Sequence, residues 1–185
     1  MVLGAAAALP APQASPADEG QPGAKLNDVA LALPGLDGGR GLAVAYERFL
    51  PERELSVGVA AQARETAIGD YGGLRLGAGV EVRHYKHDHM AWLAQPDGSM
   101  VGWFAGARLD VALDATHDRV AGRWLSPTLE TSLLGVAGYR FAVWRCLDVT
   151  PSFAVGVRHD TDLSGRVPAW TRPEVGGGLT LGWLF

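Results

Sequence analysis

Residues 73–84, GLRLGAGVEVRH, alternate strictly between apolar side chains and side chains that are small or charged. One set is apolar throughout: Leu74, Leu76, Ala78, Val80 and Val82. The other set combines glycine with charge: Arg75, Gly77, Gly79, Glu81 and Arg83. Successive side chains of a β-strand point to opposite faces, whereas a helix would scatter each set around its axis. The segment therefore predicts a strand with two chemically distinct faces.

The same two-residue period recurs from residue 27 to the end of the chain and predicts eight strands. Their approximate ranges are 28–34, 41–47, 55–64, 73–84, 102–114, 128–141, 149–158 and 174–185. Neither a helical period nor an alternation of strands with helices interrupts them. The predicted fold class is all-β.

The composition of the two faces favours one all-β architecture over the others. In a soluble barrel or a sandwich, the second face would be a hydrated surface rich in Lys, Glu, Ser and Thr. Here it is Gly and Ala with single charges of both signs, which suits a narrow barrel interior, while the Leu/Val/Trp/Phe face suits lipid. We therefore predict an eight-stranded antiparallel up-and-down transmembrane barrel over residues 27–185, with a soluble β-barrel or sandwich as the alternative.

Aromatic residues near the predicted strand ends favour the same architecture, because membrane barrels place aromatic girdles at both interfaces. The residues concerned are Tyr46, Phe49, Trp92, Trp103, Tyr139, Phe141, Trp144, Trp183 and Phe185.

The first 26 residues differ in composition from the rest of the chain. MVLGAAAAL is an apolar, Ala-rich run followed by PAPQASPADEGQPGAK. We interpret residues 1–26 as the remnant of a signal peptide, with cleavage after Ala11 or Ala17, and a disordered Pro/Ala-rich segment.

Charge and cysteine content exclude two classes of protein. The chain carries 16 Lys and Arg against 20 Asp and Glu, a net charge of −4, which argues against nucleic acid as a partner. Its single cysteine, Cys146, excludes an intramolecular disulfide and a CxxC metal site, and we interpret it as a packed or partly exposed thiol.

The C-terminal segment LTLGWLF carries a resemblance to a known class. Leu179, Leu181, Trp183 and Phe185 are in phase, and the chain ends on Phe185. This resembles the terminal targeting strand of bacterial outer-membrane proteins, and the whole of 27–185 is similar to small barrels of the OmpA/OmpX type. Two stretches, YERFL at 46–50 and GAGVEVRHY at 77–85, are closer to bacterial barrel families of unknown function.

The resemblance implies a location, partners and a topology. It implies the outer membrane of a Gram-negative bacterium, outer-membrane lipid around the barrel, and recognition of the C-terminal strand by the barrel assembly machinery. It also implies that both chain ends are periplasmic. The extracellular loops would then be Leu36–Gly39, Ile68–Tyr71, Thr116–Trp124 and Asp162–Thr171. The periplasmic turns would be Pro51–Arg53, Lys86–Ser99 and Trp144–Cys146.

Ten charged residues fall on the predicted inner face in equal numbers of each sign. They are Glu47, Arg64, Arg75, Glu81, Arg83, Arg108, Asp110, Glu130, Arg158 and Glu174. An eight-stranded lumen is only wide enough for side chains. We expect these charges to pair, for example Arg75 with Glu81 and Arg108 with Asp110, and to fill the lumen. A small porin is the alternative.

Two polar clusters are candidates for chemistry. His84, His87, Asp88 and His89 are residue types that bind Zn²⁺ or Ni²⁺, but His84 lies on the opposite strand face from His87 and His89. The other cluster is His159, Asp160, Asp162 and Ser164 at a predicted extracellular rim. Some small outer-membrane barrels modify lipid A, and one such family has a His-x-Ser motif that this sequence lacks. We read both clusters as solvated polar groups at strand ends.

We therefore assign no catalytic, cofactor-binding or metal-binding residue and no cofactor. The predicted function is that of a non-enzymatic outer-membrane barrel with a plugged lumen. Its role would be in envelope structure or in surface interaction through its extracellular loops, whose ligand the sequence does not name. The alternative is a membrane-embedded lipid-modifying enzyme of the lipid A deacylase or acyltransferase class.

Overall fold

The computed structural model describes residues 27–33, 40–50, 53–86, 101–143 and 146–185. Within these ranges, nine strands form one antiparallel sheet. They are β1 (Asn27–Leu33), β2 (Arg40–Leu50), β3 (Leu55–Ile68), β4 (Tyr71–Lys86), β5 (Gly102–Asp118), β6 (Arg123–Trp124), β7 (Thr128–Ala142), β8 (Leu147–Asp162) and β9 (Trp170–Leu184). The all-β prediction is confirmed, and the segment interpreted as a signal remnant lies outside the described residues.

The sheet closes into a ring, because β1 pairs with both β2 and β9 while β4 pairs with both β3 and β5. From β5 the ring continues through β7 and β8 to β9. The predicted number of eight strands is wrong by one. The additional strand, β6, has two residues and pairs with the end of β5 through His117 and Asp118. A pairing that short produces no alternation, so the sequence pattern gives no signal for it.

The ring has two ends, which we call the terminal end and the loop end. At the terminal end the first and last strands are joined by two backbone hydrogen bonds, from the Asn27 amide to the Phe185 carbonyl (3.1 Å) and from the Phe185 amide to the Asn27 carbonyl (2.9 Å). The loop end carries the connections 69–70, 119–127 and 163–169. The connections predicted at Leu36–Gly39 and Lys86–Ser99 lie outside the described residues, except for Lys86 at the end of β4.

The outward face is apolar and exposed on every strand of the ring. Side chains of this kind include Leu31, Leu42, Val59, Leu76, Val111, Leu133, Val155 and Leu181. In β5 the outward positions are apolar from Trp103 to Leu113, which matches the about 9–11 residues that a membrane-spanning strand needs. The described residues contain no helix that is long and apolar enough to cross a membrane.

The inward face is built from small and charged residues, as the alternation predicts. Strand backbones approach side chains and one another closely at some of the inward glycines. A Cβ on Gly106 would lie 2.1 Å from the Val82 carbonyl oxygen, and one on Gly156 would lie 2.0 Å from that of Leu133. Any larger residue at these two positions would push neighbouring backbones apart.

An apolar layer fills the terminal end of the lumen. Its members are Phe49, Tyr85, Phe104 and Leu184, all at most 3% exposed. The Tyr85 ring contacts both Phe49 (5.8 Å between centroids) and Phe104 (5.5 Å). The prediction that Phe49 belongs to an outer aromatic girdle is therefore wrong. Phe49 is three residues from the outward Tyr46, and an odd spacing places the two rings on opposite faces.

Candidate functional site

The lumen is the candidate site, and its deepest feature is the buried guanidinium of Arg140 on β7. Its Nη2 forms ion pairs with Glu47 Oε2 and, at 3.2 Å, with Asp28 Oδ2. Its Nε lies 3.5 Å from Asp148 Oδ1 and donates to Thr150 Oγ1 at 3.3 Å. The whole side chain is 2% exposed. Arg140 thus connects β7 to β1, β2 and β8, across both sides of the β1–β9 closure.

Glu47 is the second centre of this network and is 6% exposed. It accepts hydrogen bonds from Ser56 Oγ and, at 2.9 Å, from the Tyr85 hydroxyl. Arg83 Nη1 donates to it at 3.0 Å. Because three strands supply donors to one carboxylate, the charge of Glu47 is compensated although it lies away from bulk water.

Arg83 couples the ionic network to the apolar layer. It binds Glu81 through two bonds, Nε to Oε1 at 2.6 Å and Nη2 to Oε2 at 3.2 Å. Its guanidinium carbon stands 4.5 Å from the centroid of the Phe104 ring, a cation–π distance. The terminal end of the lumen therefore contains a charged layer that rests on an aromatic layer.

A second ionic network lies nearer the loop end. Arg75 Nε is 2.6 Å from Glu130 Oε2, and Arg158 contacts both Glu130 (3.5 Å) and Asp160 (3.1 Å). Arg172 reaches the other oxygen of Asp160 at 3.0 Å. The predicted pair of Arg75 with Glu81 is consequently wrong.

The arrangement of these pairs follows from strand register. Arg75 and Glu81 are six residues apart on one strand and lie far apart along it, so each pairs with a closer partner. The predicted pair of Arg108 and Asp110, two residues apart on the same face, is confirmed at 2.8 Å.

Between the two networks the lumen contains a cavity of about 680 Å³. Small residues form one wall: Ala30, Ala43, Ala45, Ala60, Gly176 and Gly178. A Cβ on Gly176 or Gly178 would meet no atom within 4 Å. The expectation that side chains leave no free volume in the lumen is therefore wrong at mid-height, because β1, β2, β3 and β9 contribute mainly Ala and Gly there.

Four buried charged residues of these networks were missing from the predicted inner set, namely Asp28, Arg140, Asp148 and Asp160. All four are about 1% exposed. The signal that could have found them is the odd or even spacing of residues along a strand. Each stands an even number of residues from an inward residue of its own strand, as Arg140 does from Glu130.

The histidine cluster is only partly described, since His87, Asp88 and His89 lie outside the described residues. His84 faces outward, and its Nε2 is 3.9 Å from a carboxylate oxygen of Glu54, with both side chains more than half exposed. In the described part of the chain, no group of three or more His, Cys, Asp or Glu side chains is arranged to hold a metal ion. Cys146 is half-buried and its thiol is free. Its backbone carbonyl accepts a hydrogen bond from the Leu184 amide at 2.8 Å.

The rim residues considered for catalysis are engaged separately. His159 Nδ1 contacts Thr171 Oγ1 at 2.9 Å on the exposed side, whereas Asp160 points inward to Arg158 and Arg172. Ser164 Oγ donates to Asp162 Oδ2 at 2.7 Å, and this bond helps to hold the pKa of Asp162 below its usual value. Among the described residues, no histidine is hydrogen-bonded to Ser164.

Comparisons with known proteins give no assignment, since neither a family model nor a curated protein matches this chain.

Proposed function

We propose that this protein is an outer-membrane β-barrel of a Gram-negative bacterium, related in architecture to the small OmpA/OmpX-type barrels. It spans the lipid with the eight strands of its ring and has no enzymatic activity. Its role is in envelope structure or in surface interaction through the loop end. The single observation that carries the proposal is the continuous outward apolar face combined with a charged lumen.

The outward face argues for lipid rather than water. Soluble monomers rarely expose contiguous apolar patches larger than a few hundred Å². Here every strand of the ring exposes large apolar side chains, such as Leu42 at 54%, Val80 at 52% and Val175 at 66%. In water this surface would aggregate, whereas in a bilayer it is the surface that a barrel needs.

Aromatic residues on the outside support the position of a bilayer interface near the terminal end. Trp103 and Tyr139 pack edge to face with centroids 5.1 Å apart, and Tyr139 contacts Phe141 at 4.4 Å. Trp183 and Phe185 on β9 are also exposed at this end. Rings with one polar edge favour the boundary between acyl chains and headgroups.

The lumen supports a closed rather than a conducting barrel. The apolar layer of Phe49, Tyr85, Phe104 and Leu184 and the adjacent Arg140 network fill the terminal end of the lumen with residues that are at most 6% exposed. The cavity lies on the loop-end side of both layers, so a continuous pore would require these two layers to separate.

The proposed route of assembly uses the last strand. Phe185 is 55% exposed and stands in phase with the outward residues Leu181 and Trp183, so β9 carries the apolar pattern that a terminal targeting strand has. We propose the barrel assembly machinery as the partner that reads it.

Cell fractionation combined with a heat-modifiability gel tests the membrane proposal. We expect the protein in the outer-membrane fraction after a carbonate wash. We also expect an unheated sample in dodecyl sulfate to migrate differently from a boiled one, because folded membrane barrels resist the detergent until heated. Recovery in the soluble fraction, with one band regardless of heating, would refute the proposal.

A further inference from the structure

Two loops at the loop end form one connected surface, which we call the crown: residues 119–127 and 163–169. The Leu163 amide donates to the Pro127 carbonyl at 3.0 Å and so links the second loop to the first. The Leu125 amide donates to the Thr116 carbonyl at 2.8 Å and holds the first loop against β5. The two loops are therefore positioned relative to each other by the barrel.

The charge of the crown is opposite to that of the whole chain. Its residues include three arginines, Arg119, Arg123 and Arg166, and no Asp or Glu, although the chain has a net charge of −4. All three are exposed. In the described part of the chain, no carboxylate lies within ion-pair distance of any of them, in contrast to Arg172, which is bound to Asp160.

The two acidic residues that directly precede the loops of the crown in sequence, Asp118 and Asp162, accept hydrogen bonds from its backbone. Asp118 Oδ1 accepts the amides of Val120 (3.0 Å) and Ala121 (2.9 Å). Asp162 Oδ2 accepts the amides of Arg166 (3.1 Å) and Val167 (3.0 Å). These bonds hold the loops in shape and occupy both carboxylates with backbone amides, while the three arginine side chains remain exposed.

Large apolar side chains stand among the three arginines. The most exposed of them are Val120, Trp124, Leu163, Val167 and, beside the crown, Trp170. Trp124 is 65% exposed although its ring contacts that of His117 at 5.0 Å. Exposed indole rings beside arginines are typical of residues at the membrane interface, where acyl chains meet charged headgroups.

We propose that the crown binds phosphate-bearing anionic lipid headgroups of the leaflet that the loop end faces. The inference rests on the proposed membrane function. The three arginines pair with headgroup phosphates, and the apolar side chains enter the boundary between headgroups and acyl chains. The crown thereby enriches anionic lipid around the loop end of the barrel.

Lipid quenching at a reporter placed in the crown tests this proposal. In a C146S background, S126C carries a fluorophore, and the full chain is folded into phosphatidylcholine vesicles. Part of the lipid is then replaced by brominated phosphatidylglycerol or, in parallel, by brominated phosphatidylcholine. Each arginine near an anionic lipid surface contributes about a fivefold preference. We therefore expect phosphatidylglycerol to be enriched at the reporter by at least about tenfold at low salt.

A charge-matched pair of variants identifies the residues responsible. R119Q/R123Q/R166Q is expected to reduce quenching by phosphatidylglycerol to the level given by phosphatidylcholine. R48Q/R53Q/K86Q removes three exposed cations at the terminal end and is expected to leave the enrichment unchanged. Equal quenching by the two lipids in the unsubstituted protein, or equal losses in the two variants, would overturn the proposal.

Flotation with the vesicles separates this proposal from the one on which it rests. A chain that does not float with lipid overturns both proposals. A chain that floats and is heat-modifiable, but shows no preference for phosphatidylglycerol at the reporter, overturns the crown proposal alone.

Discussion

Replacing Arg140 by methionine is expected to be one of the most destabilising single changes in the barrel. The guanidinium is 2% exposed and contacts Asp28, Glu47 and Asp148 on three other strands. Methionine retains much of the side-chain volume but leaves three buried carboxylates without their shared cation. Removing one partner of a buried ion pair costs about 3–5 kcal/mol, and three stranded partners place R140M at the upper end of that range.

Arg108 provides the matched control. It also lines the lumen, but its side chain is 35% exposed and, among the described residues, it forms a single ion pair, with Asp110. R108M leaves one buried carboxylate without its cation (Asp110, 8% exposed) where R140M leaves three, so R108M is expected to cost clearly less than R140M. The comparison separates loss of the buried network from loss of any lumen arginine.

Urea unfolding of the protein in lipid vesicles, followed by tryptophan fluorescence, measures both free energies of unfolding. A third variant, R140M/D28N/D148N, is expected to regain part of the loss, because a network removed on both sides leaves fewer uncompensated charges. Equal losses in R140M and R108M, or no recovery in the triple variant, would refute the proposed role of Arg140.

Four further expectations follow from the same structure. Phe185→Asp is expected to lower outer-membrane assembly in cells while the purified chain still folds in detergent, and normal surface levels of the variant would contradict the targeting role of the last strand. Leu76→Arg is expected to cost about 2–4 kcal/mol more than Leu76→Ala in lipid, because it places a charge in the bilayer, and equal losses would count against a lipid-facing position. Gly156→Ala is expected to destabilise the folded protein in urea titrations and Gly176→Ala is not, since a Cβ meets backbone at the first position and open space at the second. A larger loss for Gly176→Ala would contradict the close approach of backbones at Gly156 and the open space at Gly176. Purified, heat-modifiable protein in planar bilayers is expected to show no stable single-channel conductance, and reproducible open-channel currents would favour a small porin.

The sequence was sufficient for most of the strand assignment because a barrel strand reports its environment at every residue. In β4 the alternation from Leu74 to Arg83 identifies both faces, and the structure places the members of each set on a common side. The odd or even spacing of residues along a strand also identifies inward residues outside the regular pattern. It assigns Phe49 and Arg140 to the lumen, although one looks like a girdle aromatic and the other like an isolated charge.

Pairing across the lumen was beyond the sequence. Periodicity shows that Arg75 faces inward, but not that its partner is Glu130 on β7 rather than Glu81 on its own strand. That choice depends on strand register and on the stagger of the closed ring, which bring residues distant in sequence to the same height.

The local alternation of this chain by itself determined an all-β fold, the two faces of each strand and a charged interior, because side-chain direction in a strand has a period of two. Only the tertiary structure decided the rest. Closure of β1 onto β9 assembled the Arg140 network from four strands, left a cavity where Ala and Gly line one wall, and added β6 at the rim. These features depend on which residues meet across the ring, and a periodic sequence pattern contains no information about distance across it.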